Sequence, residues 1–299
     1  LLRYQYEKAR QHRILQYYTD VVAEAVMSSL ETKRIGFIGA GNMARAIAGG
    51  LVRKGIVPAE RIVASDVSEE QRREFERIVG APTAESNRDV VRRADIVIFA
   101  VKPFQVADVC AGIQSDLDAR HLFVSICAGV TTAFIEQRLG AAVRVVRVMP
   151  NLPALIGCGA AAVAAGSHAT HDDVANVLDL FSAVGVAVEL PEDKLDLVTG
   201  LSGSGPAYVF YFAECLIDAA EKLGLPRDAA TLLVKQTVYG AARLALESEQ
   251  SLAQLRTAVT TKGGTTEAGL RALDANGFAR ALEECVAAAT QRSAELAQQ

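Results

Sequence analysis

The sequence predicts a doubly wound α/β domain with a mostly parallel sheet, followed by an all-α domain. Three observations point there. From Arg34 to about Leu190 short apolar runs alternate with helix-like segments, the pattern of strands joined by crossover helices. The first alternation carries a glycine turn, Gly39-Ala40-Gly41-Asn42-Met43-Ala44, between strand and helix. Beyond Asp193 no strand pattern recurs. The expected parts are an N-terminal extension over 1–32, the α/β domain over 33–190 and the helical domain over 191–299.

Leu1 to Thr32 reads as an amphipathic helix rich in Tyr, Gln and Arg. It lacks the apolar core of a secretion signal, and its acids Glu7, Asp20 and Glu24 do not suit an acid-poor transit peptide. The first methionine is Met27, and the natural start is expected there. Ile35 to Ile38 is long enough for a buried strand and too short for a helix. The turn after it has G-x-G-x-x-A spacing, a helix is expected from Met43 to Lys54, and a second apolar run, Arg61 to Ser65, ends at Asp66. With no side chains at Gly39 and Gly41, a pyrophosphate can approach the amides at a helix N-terminus, where partial positive charge favours it. Ala44 lets the helix pack closely on the strand, and an acid at the end of the second strand is placed for a ribose hydroxyl. Together these features read as a dinucleotide-binding (Rossmann) unit.

Glu69 to Val79 is expected as a surface helix with Phe75, Ile78 and Val79 as its apolar contacts, and Asn87 to Arg93 as a short one. Ile96 to Val101 is an almost unbroken apolar strand, as in a parallel sheet covered on both faces. It stops at Lys102-Pro103, leaving Lys102 at the carboxyl edge where ligands collect. Then come Leu122 to Ile126 (strand), Cys127-Ala128-Gly129 (turn), Thr131 to Leu139 (helix) and Val143 to Met149 (strand). Pro150 and Pro153 interrupt the rhythm before a small-residue strand, Gly157 to Ala165. Thr170 with Asp173 makes a capping box for a helix to about Ala183, and Val186 to Leu190 is the last strand.

In the helical domain Gly205-Pro206 opens a long helix that ends at Gly224. Pro226 starts the next in its first turn, to about Ser248, and Ser251 with Gln254 is a further capping box. Val209, Phe210, Phe212, Leu216 and Ile217 spread round much of the first helix, more apolar surface than a domain of about 110 residues covers by itself. The expected cover is the same domain of a second copy, a homodimer at least. Between two helices, Val259 to Leu270 is a polar loop with four threonines and two glycines. Amides of Gly263 and Gly264, with Thr265 or Thr266 capping a helix through Leu273, offer donors to a small carboxylate. An ordinary capped helix start fits the same residues.

Composition bounds the function. The 299 residues are 51% hydrophobic and 22% charged, with a net charge of -4 and no run of five Lys/Arg, so no nucleic-acid role is expected. Five cysteines without a C-x-x-C pair fit a reducing cytoplasm better than a disulfide framework. No apolar run reaches about 18 residues, so no membrane span is expected. His168 and His171 have no third ligand type close by, and no metal is expected.

Five stretches in order, Gly39 to Ala44, Ala100-Val101-Lys102-Pro103, Met149-Pro150-Asn151, Val198 to Tyr208 and Thr260 to Leu270, resemble the pyrroline-5-carboxylate reductases. The resemblance covers about residues 33 to 297, and its last two motifs are specific to that family. It implies NAD(P)H-dependent reduction of 1-pyrroline-5-carboxylate to L-proline, the last step of proline biosynthesis, by a Rossmann domain followed by a helical dimerisation domain, often in rings of dimers. Carried over by position, the cofactor contacts fall on Ile38, Gly39, Ala40, Gly41, Asn42, Met43, Asn87, Ala100, Val101, Lys102, Pro103, Cys127, Ala128 and Gly129. The substrate contacts fall on Glu192, Thr261, Gly263, Gly264, Thr265 and Thr266. The hydroxyl of Thr265 or Thr266 is the candidate catalytic donor to the imine nitrogen. The resemblance implies NADP(H), whereas Asp66 would repel a 2′-phosphate and pulls toward NAD(H); Ser65 and Ser68 can hold a phosphate if Asp66 turns away. Lys262 stands where the family has proline, and either strengthens carboxylate binding or points to solvent.

Two alternatives have their own signatures. A related two-domain hydroxyacid or imine dehydrogenase of the hydroxyacid kind would carry a lysine and an asparagine one turn apart at the start of the helical domain, and Gly205 to Glu214 has neither. A non-catalytic nucleotide-binding dimer would bind cofactor without turnover. The reductase reading further requires that the glycine turn and the threonine-rich bend meet, within one chain or through a partner subunit.

Overall fold

The computed structural model describes residues 30, 32–140 and 142–296. The expected N-terminal helix and the expected start at Met27 lie outside the described residues, but Leu30 is fully buried in the core. The chain divides into two compact units. One runs through Gly203 and takes back the residues from Thr290; the other is Ser204–Ala289.

The first unit contains β1 (Ile35–Ile38), α1 (Asn42–Arg53), β2 (Ile62–Ser65), α2 (Glu69–Val79), β3 (Thr83–Ala84), α3 (Asn87–Arg93), β4 (Ile96–Phe99), α4 (Val106–Ile113), β5 (Leu122–Ser125), α5 (Thr132–Leu139), β6 (Arg144–Met149), β7 (Gly159–Ala165), α6 (His171–Ser182), β8 (Gly185–Glu189) and the short α7 (Leu195–Val198). They form one eight-stranded sheet in the order β3-β2-β1-β4-β5-β6-β7-β8. Every pair is parallel except β6 with β7. Strand order reverses between β1 and β4, so the loops leaving their carboxyl ends diverge and open a crevice there. Every residue of β1, β2, β4 and β5 is buried, because helices cover both faces. Phe37, Ile47, Leu51, Phe75, Leu180 and Phe181 fill one layer; Val97, Val109, Phe123 and Ile135 fill the other.

The doubly wound sheet is as expected, with differences at particular elements. The strand expected over Ile96 to Val101 ends at Phe99, and Lys102 instead leads into a short 3-10 turn, Pro103–Gln105. Pairing stops there because Ala100 and Val101 turn toward the crevice. Ile78 is 47% exposed and does not share the buried face of Phe75 and Val79; it follows Arg77 around the helix, off the i, i+4 stripe those two define. The sequence pattern missed β3, with two residues, and α4. Thr170 and Asp173 form the expected capping box.

The second unit is built from α8 (Gly205–Lys222), α9 (Arg227–Glu247), α10 (Leu252–Ala258), α11 (Thr265–Ala275) and most of α12 (Phe278–Leu296). Pro226 is the N-cap of α9 and not a first-turn residue. The Ser251–Gln254 capping box is present. Among the described residues of this unit only Ile217 and Ala230 are buried, while Tyr208, Tyr211, Phe212, Leu216 and Leu282 line an apolar groove of about 880 Å³. A helical unit this open has not buried its hydrophobic surface within itself. The last turns of α12 return to the first unit, where Ser293 Oγ donates to Asp196 Oδ1 at 2.7 Å.

Candidate functional site

A cavity of about 610 Å³ lies at the divergence of β1 and β4. Gly39, Gly41, Asn42, Met43, Asp66, Asn87, Ala100, Val101 and Lys102 all line it, together with Arg45, Ser65, Val67, Gln71, Gln105 and Val109. The fold therefore gathers most of the expected cofactor residues from four separate stretches of chain. Ile38, Ala40 and Cys127 are buried behind this lining. Pro103, Ala128 and Gly129 are not part of it; Pro103 and Ala128 are exposed and Gly129 is buried.

The two glycines of the turn act differently. Gly39 has φ +102°, and a Cβ there would lie 2.5 Å from the Ala100 carbonyl oxygen. Its small size serves the close approach of β1 to the chain leaving β4. Gly41 has an ordinary φ of -71°, and a Cβ there would meet no protein atom within 4 Å. No internal contact requires that glycine, and the missing side chain leaves room for a ligand over the start of α1. No side chain caps α1, so its first-turn amides have no intrahelical partner and face an anion-binding position. The residues present thus fit a dinucleotide pyrophosphate.

Hydrogen bonds lock the rim. Gly39 N donates to Ser65 O at 2.8 Å, and Ala40 N donates to Asp66 Oδ2 at 2.9 Å. Asp66 Oδ1 accepts from Ser68 N, and Ser65 Oγ donates to Asn87 Oδ1. Ser68 Oγ accepts from Gln71 N as the N-cap of α2. Ser65 is therefore buried with its hydroxyl proton committed to Asn87, whereas the Ser68 hydroxyl only accepts and keeps its own proton to donate. Burial pushes the Cys127 thiol up to about 11, and its Sγ donates to Val101 O at 3.3 Å. It is a neutral packing thiol that supports the Ala100–Val101 loop, with no thiolate character at neutral pH.

The threonine-rich bend belongs to the second unit. Gly264 is the N-cap of α11 with no side-chain cap, and Gly263 has φ +74°. Gly263 N donates to Glu267 Oε2 at 2.7 Å, and Gly264 N donates to Thr261 O at 2.9 Å. This corrects two expectations. The glycine amides are consumed in shaping the turn, and neither Thr265 nor Thr266 caps the helix, because both lie inside it as its first two residues. The amides without an intrahelical partner are those of Thr265 and Thr266 themselves. Thr261, Lys262, Gly263, Thr265 and Thr266 are exposed.

Glu192 lies elsewhere, in the first unit. Its Oε1 accepts from Thr132 N at 2.8 Å and its Oε2 from Thr132 Oγ1 at 2.6 Å, with Arg147 Nη1 3.3 Å from Oε1. Arg147 is 4% exposed and also lies 3.8 Å from Asp196. Sequence reasoning missed Arg147 because an arginine inside an apolar strand gives no periodic signal. It missed Arg45 as well, which sits on the first turn of α1 beside the glycine motif.

Comparison with known proteins adds the family. Residues 192–296 match the family model described as pyrroline-5-carboxylate reductase dimerisation, and residues 34–129 match the one described as NADP oxidoreductase coenzyme F420-dependent. A pyrroline-5-carboxylate reductase of Pseudomonas aeruginosa is 45% identical over 90% of this chain and 99% of its own. Two solved structures are similar along nearly their whole length. One is a pyrroline-5-carboxylate reductase from Coxiella burnetii (TM-score 0.85, 41% identity, 89% of this chain and 98% of that one). The other, from Plasmodium falciparum, was determined with NADP bound (TM-score 0.79, 32% identity, 90% and 99%). With a glycine turn open to a nucleotide, a helical unit of the dimerisation type and relatives matched across both units, this chain belongs to the pyrroline-5-carboxylate reductase family.

Proposed function

We propose that this chain reduces 1-pyrroline-5-carboxylate to L-proline with NADPH, as a homodimer. The observation that carries the reading is the cavity of about 610 Å³ that Gly41 lines at the start of α1, in a chain whose matched relatives are named pyrroline-5-carboxylate reductases. Residues 33–190 serve as the nucleotide domain and 191–299 as the substrate and dimerisation domain. When bound, the reduced nicotinamide supplies the hydride that reduces the C=N bond. The residues of the chain bind and orient. The amides of Asn42 and Met43 meet the pyrophosphate, and Asn87, Ala100, Val101 and Lys102 hold the rest of the cofactor. The first-turn amides of Thr265 and Thr266 hold the substrate carboxylate at a helix N-terminus, with Thr261, Gly263 and Gly264 shaping that turn. The hydroxyl of Thr266, with Thr265 as its neighbour, donates to the ring nitrogen.

The open apolar face of α8 and α9 supports the dimer, and the resemblance supports larger rings of dimers. Five free thiols support a reducing, cytoplasmic setting. Asp66 still favours NADH as the second cofactor.

The test is turnover: purified protein with pyrroline carboxylate, followed by loss of reduced-cofactor absorbance with NADPH and with NADH. Proline formation is expected. Cofactor binding without turnover would replace the reading with the non-catalytic dimer, and oxidation of a 2-hydroxy acid would replace it with a dehydrogenase. Thr266→Ala is expected to lower kcat/KM by about 100-fold, the scale of a lost proton donor. A loss within about twofold would remove the donor role.

A further inference from the structure

Asp66 poses a problem for a protein that takes NADPH, because its carboxylate stands where a 2′-phosphate would bring two further negative charges. The two serines nearby bring no positive charge to offset it. Ser65 Oγ is turned to Asn87, and Ser68 Oγ caps α2. The cavity has another polar group at the same place. Arg45 lines it beside Asn42, Asp66 and Gln71. Its Nη1 donates to Ala40 O at 3.0 Å and to Gln71 Oε1 at 2.8 Å, and its Nη2 donates to Asn42 Oδ1 at 2.6 Å. These acceptors are all neutral, and among the described residues no carboxylate forms an ion pair with this guanidinium.

Among the described residues many arginines are arranged otherwise. Arg73, Arg88, Arg227 and Arg243 each lie on an acid. Arg45 is half-buried at a cavity wall with its charge uncompensated by a direct partner, while the nearest acid of the lining, Asp66, holds two backbone amides instead. A guanidinium fork matches phosphate oxygens in pairs, and a charge-assisted bond to phosphate is stronger than one to a side-chain amide. Gln71 and Asn42 are thus holding partners that a phosphate can displace at little cost.

We propose that Arg45 is the cofactor-specificity residue of this enzyme: its guanidinium leaves Gln71 and Asn42 to grip the 2′-phosphate of NADP(H), and its charge offsets Asp66. The assignment rests on the nucleotide reading of the cavity. It makes the cofactor preference a property of the first turn of α1, with the acid at the end of β2 retained as an anchor for the turn through Ala40 N.

Binding measurements on the full-length protein test it without turnover. Calorimetric titration with 2′,5′-ADP and with 5′-AMP isolates the phosphate, and fluorescence titration with NADPH and NADH extends it to the whole cofactor. The wild type is expected to bind 2′,5′-ADP more tightly than 5′-AMP, and its affinity for 2′,5′-ADP is expected to weaken steeply with salt. Arg45→Gln is expected to weaken 2′,5′-ADP and NADPH by at least about tenfold, while 5′-AMP and NADH change by less than about threefold. Arg45→Lys retains the charge and is expected to recover part of the difference. Equal losses for all four ligands would mean that Arg45 acts only by holding the turn at Ala40, and no loss would mean that it does not meet the phosphate; either result overturns the proposal. If Arg45→Gln does not fold, Gln71→Glu sets a carboxylate against Arg45 Nη1 while leaving the Ala40 contact, and is expected to weaken 2′,5′-ADP selectively. Unchanged binding there overturns the proposal too. A wild type that binds neither dinucleotide overturns the nucleotide reading itself, a result distinct from wild-type binding of NADPH that survives in Arg45→Gln.

Discussion

Asp179 on α6 shows how far one side chain can stand against its surroundings. Its Oδ2 is buried without a hydrogen-bond partner among the described residues, and burial raises its pKa from the ordinary carboxyl value. It also lies within the last turn of α6, where the helix dipole disfavours negative charge. Because the folded pKa is the higher one, the ionised group works against the fold. That penalty is absent below the unfolded pKa, grows as pH rises through the window up to the folded pKa, and is complete above it. Asp179→Asn is therefore expected to raise Tm at pH 7, by roughly 1–3 °C, and to make little difference below about pH 4. Thermal unfolding at the two pH values checks it; a lower Tm at pH 7 would mean that Asp179 has a stabilising partner. At this scale Gly41 was legible in the sequence, since its spacing from Gly39 and Ala44 carries the motif. The engagement of Ser65 was not, because its partner Asn87 lies far along the chain and leaves no local pattern; the bonds of Ser68 to Gln71 and of the Gly263 amide to Glu267 are local and went unread.

At the scale of elements, one buried arginine ties several together. Arg147 on β6 reaches Glu192, which also binds Thr132 at the start of α5. Asp196 completes the group and takes Ser293 from the end of α12. Removing the cation leaves two partly buried carboxylates without their shared counter-charge, although Glu192 keeps Thr132 and Asp196 keeps Ser293. Arg147→Met is expected to lower Tm by roughly 5 °C or more. Glu192→Gln separates the two roles open to that residue: as an anchor it lowers Tm and leaves the KM for pyrroline carboxylate unchanged, which is the expected outcome, whereas a raised KM with an unchanged Tm would make it a substrate contact. Elements with a local signature were readable. α2 and α3 have the bounds expected of them, each with a serine N-cap. β3 was not readable, because two residues become a strand only by pairing with β2. The end of β4 was misjudged for the same kind of reason: Ala100 and Val101 continue the apolar run but turn into the crevice.

At the scale of the whole molecule, the helical unit decides the assembly. Phe212 and Leu216 are about two-fifths exposed in one chain, and their groove is apolar almost throughout, so water contact along α8 is costly unless a second copy covers it. The wild type is expected to sediment as a dimer or a multiple of one at micromolar concentration. Leu216→Asp is expected to dissociate it, with loss of cooperative unfolding in the helical unit; a wild-type monomer would overturn the dimer. The sequence by itself determined the alternation of strands and helices apart from β3 and α4, the glycine turn and the family, because each is written in local spacing and in motifs along the chain. Tertiary structure alone decided that Ser65 is bound to Asn87, that Glu192 is bound to Thr132 and Arg147, and that Arg45 reaches Gln71 in the wall of the cavity. Those facts depend on which distant residues the folded sheet brings within about 3 Å of one another, the range over which hydrogen bonds form.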